Sequence, residues 1–435
     1  MLLLMYIPLG GVVMRVKVDF GKVMGRYAVD YEERIDFERL RKERLERARK
    51  AMEEDGLGAI VAWDDANIRY LTSYYVTTPL RPLEAQFVVF PRNGEPHLVG
   101  GGTPEEVERR MPWLRGRVHA PAALPKPAAT GPDDPVLLKV VDQIGKILAE
   151  YGVLNEPIGI DGTTLSFLYA EAFKKRGIKI VHGKPTMDKA RAIKTQDEIA
   201  LMRIICQIAE KAFAAIADAI RPGVRECELV AVAMKVLYEE GVDHTEDCVV
   251  CSGYNTNPYN WSFSDKPIRP GELVYVDIDG ASYLGYKCCL YRTFCCGKAS
   301  QEQKDLYEEA KEMLYAALNT IRDGVTDHEV VSKWPDSPQY WGYNSWQEVG
   351  PYALGHGIGL SLHERPFFNR QQMEAGAPPQ VLNEGMVIAV ETYAGKKGGR
   401  DGVRLEEDIV VTKDGYERLC FWPIDELMEC WLPYR

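Results

Sequence analysis

The chain has 435 residues, of which 46% are hydrophobic and 27% charged. That length exceeds one compact core and predicts two domains, while the ordinary composition excludes a disordered or low-complexity protein. Fifty-three basic residues against 64 acidic ones leave a formal charge of −11, which argues against nucleic acid or an anionic membrane as the main partner.

The apolar start, Met1–Met14, contains Pro8, Gly10 and Gly11 and has no basic residue ahead of its apolar run. It is too short to span a bilayer and lacks the charge order of a secretion signal. Residues 1–34 read as a loose N-terminal arm, or Met1 is an upstream start and Met14 the true one.

Residues 35–187 alternate helix and strand. A charged helix is predicted over Arg41–Glu54 and a buried strand over Ala59–Trp63. Gln86–Phe90 and Pro96–Val99 flank Asn93-Gly94, a hairpin signal. An amphipathic helix over Val136–Tyr151, a strand over Ile158–Asp161, a helix running to Lys175 and a strand over Ile178–Val181 complete an α/β domain. It has no phosphate loop and no dinucleotide fingerprint. Its ionisable residues form no cluster in the sequence, so its expected role is structural: a dimer contact and a wall for the second domain's pocket.

The second domain is predicted over 188–435. Thr195 and Glu198 form a capping box, behind which Ile199, Met202, Cys206, Ala209, Phe213, Ile216 and Ile220 trace one apolar helix face. Arg221-Pro222-Gly223 stops that helix, and a second runs over Glu226–Glu240. Strands are then expected over Cys248–Cys251, Leu273–Asp279, Leu284–Phe294, Met386–Glu391 and Val403–Thr412. Helices over Gln303–Ile321 and from Asp327 lie between them, and this segregation suggests α+β with a largely antiparallel sheet. All ten cysteines lie at Cys206 or later. The single Cys248-x-x-Cys251 sits in a strand-like run without a second pair, which speaks against a structural zinc site. Reduced thiols in a cytoplasmic protein fit best.

Four short segments carry chemistry. Asp277 and Asp279 end an apolar strand and project to the same side. Two like charges that close call for a cation or a shared proton, unless they are solvated turn residues. His356 and His363 stand in a glycine-rich loop, where glycine permits close backbone approach and a neutral imidazole can bind a transition metal; satisfied polar residues are the alternative. Glu391 and Glu406 each sit at the end of an apolar strand and must be paired there, by a cation or by a salt bridge. His356, Glu391 and Glu406 together could hold one ion with open positions for water and substrate.

The order of Asp277, then Gly355-His356-Gly357-x-Gly359, then strand-end Glu391, then Gly402-Val-Arg404-x-Glu406 resembles the creatinase/aminopeptidase P/prolidase superfamily. So does the junction Arg191-Ala-Ile-Lys194-Thr-x-x-Glu198. The likeness runs from about Ile35 to the C-terminus. It implies an α+β pita-bread C-terminal domain with a curved, largely antiparallel sheet, preceded by an α/β creatinase-type N-terminal domain. It implies metal ligands among Asp277, Asp279, His356, Glu391 and Glu406, a proton-moving or substrate-contacting His363, and Arg404 beside the last ligand, with Asp279 near the chemistry. Asn260 falls near the upstream catalytic histidine of the peptidases, with Trp261 and Tyr286 as further pocket candidates. Cys289 stands where the family's bridging aspartate should be. It is either a thiolate ligand for zinc or iron or a small buried thiol.

The implied cofactor is a divalent transition metal (manganese, iron, zinc or cobalt), one ion rather than two, with none as the alternative. The expected activity is hydrolysis of a C–N bond, amide or amidine-like, in a small polar substrate such as an Xaa-Pro dipeptide. Two alternatives stand beside it. The run Ser252-Gly-x-x-Thr-Asn-Pro258, the Asp277/Asp279 spacing and Asp414-Gly-Tyr-Glu-x-Leu419 resemble the family's dimethylsulfoniopropionate lyases, in which case His363 would be the base. The other is a catalytically silent binding protein. A homodimer is implied by the resemblance.

Overall fold

The computed structural model describes residues 2–9, 12–19, 35–75, 86–123, 131–161, 167–350 and 352–432. Where a loose arm was expected, the chain forms a hairpin: β1 (Leu2–Leu9) pairs antiparallel with β2 (Val12–Asp19). The two apolar runs satisfy their backbone groups against each other, as buried or strand-prone segments must. The remainder of the expected arm, residues 20–34, lies outside the described residues.

The N-terminal part is built on a six-stranded mixed sheet of β3 (Ala59–Ala62), β4 (Phe87–Pro91), β5 (His97–Val99), β6 (Val118–His119), β7 (Ile158–Ile160) and β8 (Ile180–His182), ordered β6-β5-β4-β3-β7-β8. The Asn93-Gly94 turn joins β4 to β5, with Gly94 N donating to Pro91 O at 3.1 Å. The central strands read as unbroken apolar runs because both faces are covered. Ala59 and Val61 pack with Leu137, Val141 and Ile144 of helix Pro135–Glu150. Ile60 and Ala62 share the other core with Ala48 and Met52 of helix Phe37–Glu54.

The predicted capping box opens the 24-residue helix Gln196–Ala219. Thr195 Oγ1 accepts from Glu198 N at 3.2 Å, and Glu198 Oε2 accepts from Thr195 N at 2.8 Å. Beyond helix Glu226–Glu239 come two sheets. The first is ordered β17-β11-β10-β9 from β9 (Asp247–Ser252), β10 (Leu273–Tyr283), β11 (Tyr286–Cys296) and β17 (Met428–Cys430). The second, β13-β12-β14-β15-β16, uses β12 (Ala353–Gly357), β13 (Glu364–Asn369), β14 (Val387–Ala394), β15 (Val403–Val411) and β16 (Tyr416–Arg418). Every pairing in these two sheets is antiparallel except β11 with β17.

The sheets meet where β11 runs beside β15. Thr293 Oγ1 donates to Arg404 O at 2.8 Å and accepts from Arg404 N at 3.0 Å. Arg292 donates to Glu406 O and pairs with Glu407 at 3.0 Å. This seam brings side chains from five strands to one place.

One element departs from the glycine-based expectation. The run around His356 is only partly a loop: Ala353–Gly357 form strand β12, and residues 358–363 loop from it into β13. Its glycines serve packing: a Cβ on Gly355 would lie 2.2 Å from the Phe368 ring, and one on Gly357 would lie 2.4 Å from Arg365 O. Glycine in a strand marks such close approach.

Candidate metal centre

β10 and β11 set the first ligands. In their antiparallel register Asp277 faces Tyr291 and Asp279 faces Cys289, with a bulge immediately after Asp279. The period of two keeps both aspartates on one face. One ligand atom each from Asp277, Asp279 and Cys289 lie within 4.8 Å of one another. Cys289 Sγ approaches Asp279 Oδ1 at 3.4 Å.

β12, β14 and β15 set the others. Glu391 on β14 is directly opposite Glu406 on β15, a pairing of like charges that is costly unless compensated. His356 on the neighbouring β12 brings Nε2 to 3.8 Å from Glu406 Oε1. Cys289, His356 and Glu406 form a second group within 4.8 Å.

The hydrogen bonding of this cluster is incomplete. Both oxygens of Asp277, both of Glu406 and His356 Nε2 are buried without a hydrogen-bond partner among the described residues. Native interiors rarely tolerate such atoms. His356 Nδ1 lies 3.0 Å from Gly357 O; a carbonyl only accepts, so the ring proton sits on Nδ1 and the Nε2 lone pair points at Glu406. Burial, then His363, lowers the His356 pKa to about 3, keeping the ring neutral. Burial, then Glu391 and Asp277, pushes Glu406 up, and burial followed by Asp279 does the same to Asp277. A lone pair facing carboxylates is the donor set a divalent transition ion requires. The residues therefore fit such an ion, with Asp277, Asp279, Cys289, His356 and Glu406 able to hold it.

Glu391, expected to join His356 and Glu406, stands directly opposite Glu406 across β14 and β15. It belongs to neither group of three. Its Oε2 lies 3.4 Å from Tyr259 OH and 3.5 Å from Arg404 Nη2. Burial raises its pKa to about 7, with Arg404 working in the opposite direction. Arg404 is held over the Tyr291 ring at 3.4 Å and the Tyr259 ring at 4.2 Å, donates to Tyr259 OH, and stands 3.9 Å from Asp277.

Comparison with known proteins gives the family. The Creatinase/Prolidase N-terminal domain matches residues 44–193, and Metallopeptidase family M24 matches residues 200–413. The Xaa-Pro dipeptidase of Pyrococcus furiosus is 30% identical over 385 residues, covering 87% of this chain and 97% of that one. The chain belongs to metallopeptidase family M24. The dimethylsulfoniopropionate lyase DddP of Roseovarius nubinhibens is 25% identical over 407 residues, 90% of this chain and 87% of the lyase. Among solved structures, the Xaa-Pro dipeptidase from Bacillus anthracis superposes with a TM-score of 0.71 at 26% identity, over 89% of this chain and 99% of that one. As an M24 protein with a creatinase-type N-terminal domain and the pita-bread fold, the chain is a metal-dependent hydrolase.

The M24 site contains residues that sequence reasoning passed over. Tyr259 and Tyr291 enclose Arg404, and Asp408 fixes the strand behind Cys289, accepting from Cys289 N at 3.1 Å. Glu364 follows His363 directly. It accepts from Arg191, from Lys194 at 3.0 Å and from Ser361 N at 3.1 Å, so it anchors the loop that carries His363. The basic pair at the domain junction was the signal, and the adjacent acidic residue was its partner. The idea that the N-terminal part's charges form no cluster is thus corrected at its edge: Arg191 also donates to Asn67 at 2.7 Å, and Asn67 donates to buried Asp161 at 2.9 Å.

His363 is exposed, its ring centroid 4.5 Å from that of His356. Trp261 is exposed and meets the Tyr259 ring edge-on at 5.1 Å. Asn260 exchanges backbone hydrogen bonds with Tyr275 OH at 2.8 and 3.0 Å, and its side chain caps Ser262 N. Tyr286, expected at the pocket, is elsewhere. It is buried in the core, its hydroxyl donating to Glu198 at 2.8 Å and accepting from Arg44 at 3.3 Å. The β10–β11 turn carries it under the N-terminal part, where it fastens the two parts together.

Proposed function

We propose that this M24 protein hydrolyses the peptide bond of short Xaa-Pro peptides with one divalent ion held by Asp277, Asp279, His356 and Glu406. The observation that carries the reading is the set of buried, unpartnered acceptors on Asp277, His356 and Glu406 among the described residues, a concentration of lone pairs that a cation relieves most directly. When bound, a divalent ion there supplies a Lewis acid that polarises the scissile carbonyl and lowers the pKa of water. Glu391, held by Tyr259 and Arg404, takes up a proton from the attacking water. Burial favours its protonated form, as taking up a proton requires. His363, exposed beside His356, carries a proton to the leaving amine. Trp261 offers an apolar face for the prolyl ring, with Asn260 next to it. Arg404 keeps Asp277 and Glu391 in place.

In the same proposal two chains assemble through residues 35–187, and the protein works in the cytoplasm, where its ten free cysteines stay reduced. Residues 188–435 form the catalytic domain and residues 1–34 the arm. No helix among the described residues is long and apolar enough to cross a membrane.

The test is to strip metal with a chelator and reload with manganese, iron, cobalt or zinc singly. Xaa-Pro dipeptides and dimethylsulfoniopropionate are then assayed by product. Metal-dependent release of proline supports the proposal. Acrylate without amine release replaces it with a lyase, the reading favoured by the likeness to the Roseovarius enzyme. Equal behaviour of the parent and a His356→Ala variant in every assay leaves a binding protein.

A further inference from the structure

The two candidate ligand groups share a single atom. Cys289 Sγ is within 4.8 Å of ligand atoms on His356 and Glu406 in one group, and of ligand atoms on Asp277 and Asp279 in the other. The position is built, not incidental. Cys289 is paired in register with Asp279, and its backbone N–H is tied to Asp408 Oδ2, which also accepts from Cys206 Sγ at 3.7 Å. The side chain is 1% exposed and faces five unpartnered acceptor atoms: both oxygens of Asp277, both of Glu406, and His356 Nε2. A neutral thiol has one proton to give, to Glu406 or to Asp279 Oδ1 at 3.4 Å, and leaves the other acceptors unmet, at a cost that apolar surroundings increase.

We propose that Cys289 Sγ is the metal ligand common to both groups, and that this makes the centre select thiophilic divalent ions, zinc or cobalt, over manganese. The inference rests on the metal-hydrolase reading and sharpens it. Carboxylate and imidazole donors already favour zinc over manganese in the usual order of first-row ions, and sulfur, being soft, widens that margin. As the metal–sulfur bond forms, the Sγ proton is released to solvent, since a coordinating thiol is deprotonated. Aspartate at position 289 would give a harder donor set, its oxygens reaching one bond further from Cβ.

The experiment loads chelator-treated parent, Cys289→Ser and Cys289→Asp proteins with cobalt(II) and records absorption spectra. Circular dichroism and thermal melting establish that each variant is folded. The expected result is a near-ultraviolet thiolate-to-cobalt charge-transfer band in the parent that is absent from both variants. In equilibrium dialysis the parent's preference for zinc over manganese should fall by about tenfold or more in Cys289→Asp. Should Cys289→Ser not fold, X-ray absorption fine structure of the zinc-loaded parent answers the same question: it should contain a zinc–sulfur distance of about 2.3 Å. Cobalt bound by the parent without a charge-transfer band, or zinc without a sulfur neighbour, overturns the inference while the hydrolase reading stands. A parent that binds neither cobalt nor zinc in dialysis overturns both.

Discussion

Two buried carboxylates in adjoining parts of the site have opposite fates. Glu364 is surrounded by Arg191, Lys194 and Ser361 N. Although burial acts to raise its pKa, those two cations bring it down to about 2. Glu406 is buried just as deeply with no hydrogen-bond partner at either oxygen among the described residues. Burial and the neighbouring Glu391 and Asp277 push it up. The contrast separates a structural charge from a functional one: the first carries its compensation in the sequence, and the second is arranged for compensation from outside.

The largest expected effect tests the functional side. His356→Ala or Glu406→Gln should lower metal-dependent turnover by about 10²-fold or more, read from initial rates at saturating metal. Glu406→Gln should at the same time raise the melting temperature of the metal-free protein, because it removes an uncompensated buried charge. A metal-free variant that melts lower than the parent would erase the distinction from Glu364.

Next is the structural side. Glu364→Gln leaves Arg191 and Lys194 buried and underpaired, and should cost about 3–5 kcal/mol by urea unfolding. The sign with pH follows from the depressed pKa. The unfolded glutamate titrates near its ordinary value of 4.5, and the folded one near 2. The advantage of parent over Glu364→Gln is therefore complete above pH 4.5 and declines as pH falls toward 2. A stability difference that stays constant over that window would show that the cations do not act through charge.

A smaller shift is expected from the metal itself. At a hundred times its dissociation constant, a divalent ion should add about 2.7 kcal/mol to the folded state, measured as a rise in melting temperature that Glu406→Gln abolishes. Thr195→Ala, which removes one helix cap far from either carboxylate, should cost only about 1 kcal/mol. It sets the scale against which the other changes are judged.

What the sequence disclosed follows the reach of each interaction. The capping box at Thr195 and Glu198, the Asn93-Gly94 turn and the apolar strands are governed by neighbours in the chain, and the structure repeats them within a few residues. Asp277, Asp279 and Cys289 come together because a period of two and a hairpin register put them on one face. Strand β12 was hidden because its glycines imitate a loop, while the reason for them, the Phe368 ring and Arg365 O, lies on β13. Tyr286 was misplaced because its partner Glu198 is 88 residues away. Glu364 was missed because Arg191 is 173 residues away. Glu391 was seen as a bearer of charge, but that it turns toward Tyr259 and Arg404 is decided by packing across the seam between two sheets.

The Arg191–Glu364 contact carries one more consequence. Arg191 lies in the segment that precedes the long helix opening the second half, and Glu364 is next in the chain to His363. A fragment expressed from Ile193 onward would keep Lys194 but forfeit Arg191. It would lose the guanidinium that moors the His363 loop. The junction helix Lys184–Ala192 thus bears on the neighbourhood of the metal centre from outside it, by gripping the stem of that loop.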